Sequence, residues 1–216
     1  MSVEMVVVVV AGGDAPAPSA ALAVPLGAPV VAADKGLEHA LALGLEVTVA
    51  VGDFDSAAPE AVEVAEAAGV RIERHPHEKD ATDLELALDV AAARSPGRIL
   101  VLASGGGRLD HLLSAALLLA SDRYASRQVD AFFGEARVHV VRGERVLGGA
   151  PGEILTLLAA TGQAKGVRTE GLVYPLRGET LEPGSSRGVS NVFADTTARI
   201  SVERGVVLAI RPGSAT

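Results

Sequence analysis

Aspartate recurs in the sequence at places where a carboxylate can meet a phosphate. Four short segments carry the pattern: Gly52-Asp53-Phe54-Asp55-Ser56, Lys79-Asp80-Ala81-Thr82-Asp83, Gly105-Gly106-Gly107-Arg108-Leu109-Asp110-His111 and Ala33-Asp34-Lys35. Carboxylates gathered in one place repel one another unless a cation sits among them, and hard oxygen donors select magnesium or manganese over zinc. Asp53, Asp55, Asp80, Asp83 and Asp110 are therefore expected to converge along one edge of a sheet around such a cation. Taken one at a time, each aspartate also has a bland use as a helix N-cap, and Asp80, Thr82 and Asp83 ahead of a helix near Leu84 suit it well. Asp53 and Asp55, two apart, exceed what one cap consumes, which favours a metal-assisted phosphate site.

The glycine run offers the complement. Gly106 and Gly107 allow close backbone approach to a phosphate, Arg108 adds a fork of donors, and a helix beginning there directs its N–H groups outward. A ligand-free tight turn remains the other reading of those glycines. Lys79 reads either as a phosphate contact or as an exposed charge paired with an acid. His111 reads either as a phosphate contact or as a capping residue. His39, His75, His77 and His139 lack zinc-pair spacing and read as surface or core histidines. The dinucleotide fingerprint fails, because Asp110 stands where its third glycine belongs, and no Gly-Lys-Ser/Thr loop occurs.

The elements that must position these loops follow from periodicity. Val6–Val10, Val30–Ala33, Val47–Val51, Val70–Glu73 and Ile99–Ala103 are short, β-branched and almost wholly apolar, as strands covered on both faces are. Leu37–Leu43, Pro59–Ala68 and Leu84–Ala93 between them are rich in helix formers, with Gly44 and Gly69 as stops. This alternation predicts a mostly parallel sheet, whose ligands bind outside the carboxyl ends of the strands. After Ser121 the helical pattern ends. Arg137–Val141, Ile154–Ala159, Ala198–Val202 and Val206–Ile210 read as strands of an antiparallel sandwich or barrel, the last two joined by a hairpin at Glu203-Arg204-Gly205. The expected architecture is an α/β, Rossmann-like domain over residues 1–125, a linker at Ser121–Gln128, and a smaller all-β sandwich over 129–216.

Composition narrows the function classes. The chain has 216 residues, 49% hydrophobic and 21% charged, which is ample for a packed core. Its net charge is −8, with 18 acidic against 9 basic residues in 1–128 and 9 against 10 thereafter, a balance that argues against nucleic acid as a partner. Cysteine is absent, so no disulfide or thiolate site exists, which fits a cytoplasmic location. The apolar runs Met5–Ala11 and Leu112–Ala120 are too short to span a bilayer, and no membrane role is expected.

In order and spacing, Ala33-Asp34, Gly52-Asp53-Phe54-Asp55-Ser56, Lys79-Asp80-Ala81-Thr82-Asp83-Leu84-Glu85, Gly106-Gly107-Arg108-Leu109-Asp110-His111 and Gly188-Val189-Ser190-Asn191 resemble the thiamine pyrophosphokinases, over roughly Ala33 to Ile210. The resemblance implies an N-terminal domain that binds Mg2+ and ATP, and a β-sandwich. It also implies a homodimer holding thiamine between the α/β domain of one subunit and the sandwich of the other. The implied reaction moves the terminal diphosphate of ATP to the hydroxyl of thiamine, giving thiamine diphosphate and AMP. On this basis Asp53, Asp55, Asp80, Asp83 and Asp110 are the expected catalytic positions, the first four as metal ligands and any of the five for orienting or deprotonating the hydroxyl, while Lys79, Gly106, Gly107, Arg108 and His111 are expected at ATP, and Ser190 and Asn191 at thiamine. Some members stack thiamine on a tryptophan after the last motif. Tryptophan is absent here, and Phe193 is either its replacement or a core residue. A pyrophosphokinase for another hydroxymethyl heterocycle, pterin-like, and a nucleotide-binding regulatory module are the competing readings.

Overall fold

Val6–Val10 (β1) are five valines with no polar alternation, and the structure, a computed structural model describing residues 5–94 and 96–213, sets them between two parallel neighbours with all but Val6 fully buried. On one side β1 pairs with Val30–Ala33 (β2), on the other with Arg98–Ala103 (β5). Val47–Gly52 (β3) and Arg71–Arg74 (β4) extend the sheet beyond β2, and Gln128–Phe133 (β6) extends it beyond β5. The order is β6-β5-β1-β2-β3-β4, every pair parallel. The crossovers carry Gly36–Ala42 (α1), Pro59–Ala67 (α2), Asp83–Ala93 (α3) and Leu109–Leu119 (α4). Because β1 lies between β2 and β5, the chain leaves β1 and β5 toward opposite sides of the sheet, which opens a crevice at their carboxyl ends.

The chain divides into two compact units, one reaching to Ala115 and including Ser126–Glu135, the other formed by Ala116–Ala125 and everything from Ala136. The first unit regains 126–135 because β6 pairs in register with β5, Arg98 opposite Gln128. Within the segment expected as a linker, Asp122–Tyr124 form a turn of 3₁₀-helix and Tyr124 is fully buried.

The second unit holds Ala136–Gly148 (β7), Ile154–Ala159 (β8), Ala164–Glu170 (β9), Arg177–Leu181 (β10), Asn191–Val192 (β11) and Thr197–Arg211 (β12). Its pairs are antiparallel. Taken over the chain, strand pairing is thus mixed rather than mostly parallel. The hairpin expected at Glu203-Arg204-Gly205 does not form. β12 runs through it as one strand, pairing Val202 with Gly143 and Val207 with Val141, so residues 203–206 bulge against Arg142. Gly205, at φ +95°, makes the bend, and below and above it β12 turns to β9 and β8 in turn. The unit's core gathers Leu155, Leu157, Val167, Leu181, Ile200 and Val207. No helix among the described residues is long and apolar enough to cross a membrane.

One close approach fixes the loops that concern function. A Cβ on Gly36, the first residue of α1, would lie 2.2 Å from the Val10 carbonyl oxygen, so glycine lets α1 pack directly on the end of β1. Gly36→Ala must push the backbone apart, and we expect a loss of ~1–3 kcal/mol in urea unfolding, the usual cost of overpacking.

Candidate active site

Each loop at the carboxyl edge of the parallel sheet touches the next. Between β1 and β2, a Cβ on Gly12 would meet the Ala33 carbonyl oxygen at 3.1 Å. Between β2 and β3, the Ser56 hydroxyl donates to Asp34 Oδ2. Between β3 and β4, the Lys79 ammonium donates to Asp53 Oδ2 at 2.7 Å. Between β5 and β1, a Cβ on Gly107 would lie 2.8 Å from Asp14 Oδ2. The parallel register makes this edge possible, since it brings every strand to the same side before the chain turns.

The β3 loop shows how local structure aims the carboxylates. Phe54 takes φ +59°, rare for an aromatic residue, and buries its ring in the cluster with Leu37, Ala57 and Val62, with the Arg74 guanidinium 5.3 Å from the ring centroid. Asp53 and Asp55 bracket that anchor. The Asp55 N–H donates to Asp53 Oδ1 at 3.3 Å, and His77 Nδ1 lies 3.2 Å from Asp53 Oδ2 and 3.3 Å from Asp55 Oδ2. One ligand atom from each of Asp53, Asp55 and His77 falls within 4.8 Å of the others.

Lys79 also lies 3.2 Å from Asp83 Oδ1, an ion pair without hydrogen-bond geometry, so that oxygen remains buried and unpartnered. The helix cap is Thr82, whose Oγ1 accepts from the Glu85 N–H, and this leaves Asp83, in the first turn, free to face the site. Asp34 Oδ1 is likewise buried and unpartnered. A Cβ on Gly52 would stand 3.1 Å from Asp83 Oδ1 and 3.2 Å from the Asp34 Cβ, so glycine there leaves room between the two carboxylates. Orphaned carboxylate oxygens beside exposed ones are the donor set of a hard divalent cation, and the residues fit such an ion.

The electrostatics follow from the same contacts. The Lys79 hydrogen bond, helped by the Asp55 N–H and His77 against the effect of burial, holds the Asp53 carboxyl at about 2. Burial pushes Asp83 up, with Asp53 and Asp34 adding to it, and Lys79 offsets only part of the rise. Burial also works against the Lys79 ammonium, yet its hydrogen bond to Asp53 and the attraction of the nearby Asp83 carboxylate prevail and its pKa lies above the ordinary value.

On the β5 side, a Cβ on Gly105 would sit 2.8 Å from the Phe133 carbonyl oxygen, and Gly107 adopts φ +80°. Arg108 and Asp110 pair with each other at 2.6 Å, both exposed, and the guanidinium holds the Asp110 carboxyl at about 2. Gly106 and His111 are exposed. The structure thus brings Asp53, Asp55, Lys79 and Asp83 into one cluster and leaves Asp80 exposed, with no hydrogen bond or ion pair among the described residues. Asp34, Ser56 and Asp14 join from neighbouring loops. His77, read as an ordinary histidine in sequence, belongs to the cluster, and its spacing of two from Lys79 in a loop opened by Pro76 was the available signal.

In the second unit, Ser185–Asn191 and Tyr174 line a cavity of about 420 Å³. Ser190 takes φ +54°, and its N–H donates to Thr156 Oγ1. Asn191 is buried, its amide N–H donating to the Tyr174 carbonyl at 2.7 Å and its Oδ1 accepting from the Tyr174 N–H at 3.1 Å. Phe193 is 1% exposed and packs in the core, where a Cβ on Gly149 would lie 2.6 Å from its ring. Its position is that of the core reading, with no face turned to solvent.

The comparisons with known proteins divide the chain in two. Residues 28–130 match the family model "Thiamin pyrophosphokinase, catalytic domain", and residues 137–207 match "Thiamin pyrophosphokinase, vitamin B1 binding domain". A thiamine pyrophosphokinase of Bacillus subtilis is 26% identical over 191 residues, covering 84% of this chain and 86% of that protein. The crystal structure of thiamine pyrophosphokinase from Bacillus subtilis superposes with a TM-score of 0.85 at 24% identity, over 97% of this chain and 100% of that one. That from Geobacillus thermodenitrificans gives 0.82 at 26% identity, over 98% and 99%.

Asp53 provides a check on the cluster. Its folded pKa lies below the ordinary 3.8, so its contribution to stability is complete above that value and drains away as the pH falls toward about 2. In Lys79→Met the Asp53 titration followed by carboxyl NMR is expected to move up toward the ordinary value. A midpoint still near 2 would mean that Lys79 does not organise the cluster.

Proposed function

This chain belongs to the thiamin pyrophosphokinase family, and from that premise we propose how its residues carry the reaction. The enzyme transfers diphosphate from ATP to the hydroxyl of thiamine, with thiamine diphosphate and AMP as products. The observation that carries the site assignment is the acidic edge built around Lys79, with buried carboxylate oxygens on Asp34 and Asp83 that lack donors.

We assign Asp53, Asp55 and Asp83 to a magnesium ion, with exposed Asp80 at the rim of the same loops. When bound, that ion neutralises charge on the polyphosphate and orients it. Lys79 holds Asp53 and Asp83 in place and offers its remaining donor capacity to phosphate. Gly106 and Gly107 let the phosphate oxygens of ATP approach main-chain N–H groups at the crevice between β5 and β1. Arg108 exchanges Asp110 for phosphate when ATP arrives, and His111 stands on the first turn of α4 beside it. In the transfer the thiamine oxygen attacks the β-phosphorus in line, the bond from that phosphorus to the AMP oxygen breaks, and the hydroxyl proton passes to a carboxylate of the edge or to water. Positioning and charge neutralisation supply the catalysis.

Ser190 and Asn191 shape the thiamine site of the second unit. Asn191 acts through the backbone it clamps, and Phe193 enters as the core residue beneath the turn. A homodimer, with thiamine held between the α/β part of one subunit and the β part of the other, and a cytoplasmic location complete the reading. Neither a pterin-like acceptor nor a regulatory module without turnover is favoured.

The protein incubated with thiamine, ATP and magnesium is expected to release AMP and thiamine diphosphate in equal amounts by chromatography. Chelation with EDTA should abolish both, and Asp55→Asn should slow them by at least about a hundredfold, the scale on which removing a group that stabilises charge acts. AMP without thiamine diphosphate would overturn the acceptor, and no AMP with any acceptor would overturn the enzyme reading. Sedimentation should show a dimer, and a monomer of full activity would refute a site shared between subunits.

A further inference from the structure

One nitrogen stands among the carboxylates of the acidic edge. His77 Nδ1 lies 3.2 Å from Asp53 Oδ2 and 3.3 Å from Asp55 Oδ2, although the side chain is otherwise 78% exposed. Asp53 already has its counter-charge in Lys79 at 2.7 Å, so ion pairing alone gives the imidazole no reason to turn inward. Both contacts also exceed the roughly 2.7–2.9 Å of a charge-assisted hydrogen bond. Atoms that share a cation stand farther apart: at about 2.1 Å from the ion, neighbouring ligands are separated by roughly 3.0 Å in an octahedron and 3.4 Å in a tetrahedron. The two His77 distances fall in that interval. From this placement we infer that His77 is a nitrogen ligand to the cation of Asp53 and Asp55, and that it turns the preference of the site from magnesium toward a transition-metal dication such as manganese. The inference deepens the reading of this edge as the metal site of the diphosphate transfer and rests on that reading for the ion's use.

The loop holds His77 over the carboxylates from both sides. Two residues before it, the His75 N–H donates to the Gly52 carbonyl at 2.9 Å and ties the end of β4 to the end of β3. Two residues after it, Lys79 bonds Asp53. Pro76 fixes one backbone torsion between these anchors. On the facing loop Phe54 is packed in the core with Arg74 beside its ring, so Asp53 and Asp55 keep their places around it. An independent sign of a cation comes from Asp34, 7% exposed, whose Oδ1 is buried without a donor while its Oδ2 accepts from Ser56, the residue after Asp55. A buried carboxylate oxygen left so is costly unless positive charge stands near it. The ligand type then decides among ions. Imidazole suits first-row transition dications, whereas magnesium dehydrates reluctantly and is held by one or two carboxylates and water.

Binding of Mn2+ to the full chain without nucleotide or thiamine, followed by the resonance of the free ion and with Mg2+ as competitor, separates His77 from the carboxylates. In His77→Ala the Kd for Mn2+ is expected to rise at least about tenfold, the low end of what even groups supporting metal ligands contribute. The Kd for Mg2+ should stay within about threefold, water taking the place of the ring. Electron spin echo modulation of bound Mn2+ gives a second signature: nitrogen-14 coupling in the wild type, lost in His77→Ala and kept in His75→Ala. Absence of that coupling in the wild type, or an unchanged ratio of Mn2+ to Mg2+ affinity in His77→Ala, would overturn the inference. Equal losses for both ions would overturn it too, as a general disturbance of the loop. None of these readings needs turnover. A wild type that forms thiamine diphosphate with either ion but lacks the coupling loses the His77 role and keeps the function. One that shows the coupling but forms no thiamine diphosphate with either ion loses the function and keeps the ligand.

Discussion

Carboxylates from neighbouring loops can share one edge of a sheet only when positive charge stands among them, and Lys79 meets that constraint. Its ammonium, 14% exposed, is 2.7 Å from Asp53 and 3.2 Å from Asp83, and the repulsion it relieves grows as water is excluded. Asp53 and Asp83 respond in opposite directions, one held acidic by its hydrogen bonds and the other pushed up by burial. The edge is therefore not uniform. It contains a firmly ionised group and a less willing one, a short distance apart on different elements. The parallel sheet provides the geometry, Thr82 takes over the capping duty, and Gly52 leaves the space between Asp34 and Asp83 open.

Backbone strain is concentrated where these residues gather. Among the described residues, the non-glycine residues with positive φ are Asp34, Phe54 and Ser190, one on each of two loops of the acidic edge and one at the cavity of the second unit. Such conformations persist only where surrounding contacts over-determine them. At Phe54 the ring is locked in the core, at Asp34 the carboxylate is buried beside Ser56, and at Ser190 the N–H is held by Thr156 while Asn191 is clamped next to it.

Much of this was legible in the sequence, for identifiable reasons. The buried strands β1, β2 and β3 announce themselves because a strand covered on both faces must be apolar throughout, and the aspartate loops follow directly from where those strands stop. β6 does not stand out in the sequence because Gln128 and Asp130 interrupt its apolar run, and the buried Asp130 meets Arg98 at 2.6 Å, a partner distant in sequence. The bulge in β12 resembled a hairpin because charged residues followed by glycine suit both, and what separates them is whether the strand's neighbours change or the strand reverses. Among the site residues, Asp53, Asp55 and Asp83 could be named from spacing. Asp34 stands in one of the recurring aspartate segments and His77 two residues from Lys79, but their contacts come from loops brought beside them by the sheet, and the depth of Phe193 depends on packing against Gly149.

β12 has a further consequence for how the protein comes into being. β7, β8 and β9 all pair with it, yet it follows every one of them along the chain. As the polypeptide leaves the ribosome, those three strands emerge with open edges that their common partner has yet to cover, while the helices and parallel strands of the first unit are already available to pack. Assembly of the second unit waits on Thr197–Arg211, so translation that stalls before this stretch leaves a chain with unpaired, apolar edges, prone to aggregation and recognisable to chaperones and proteases as unfinished.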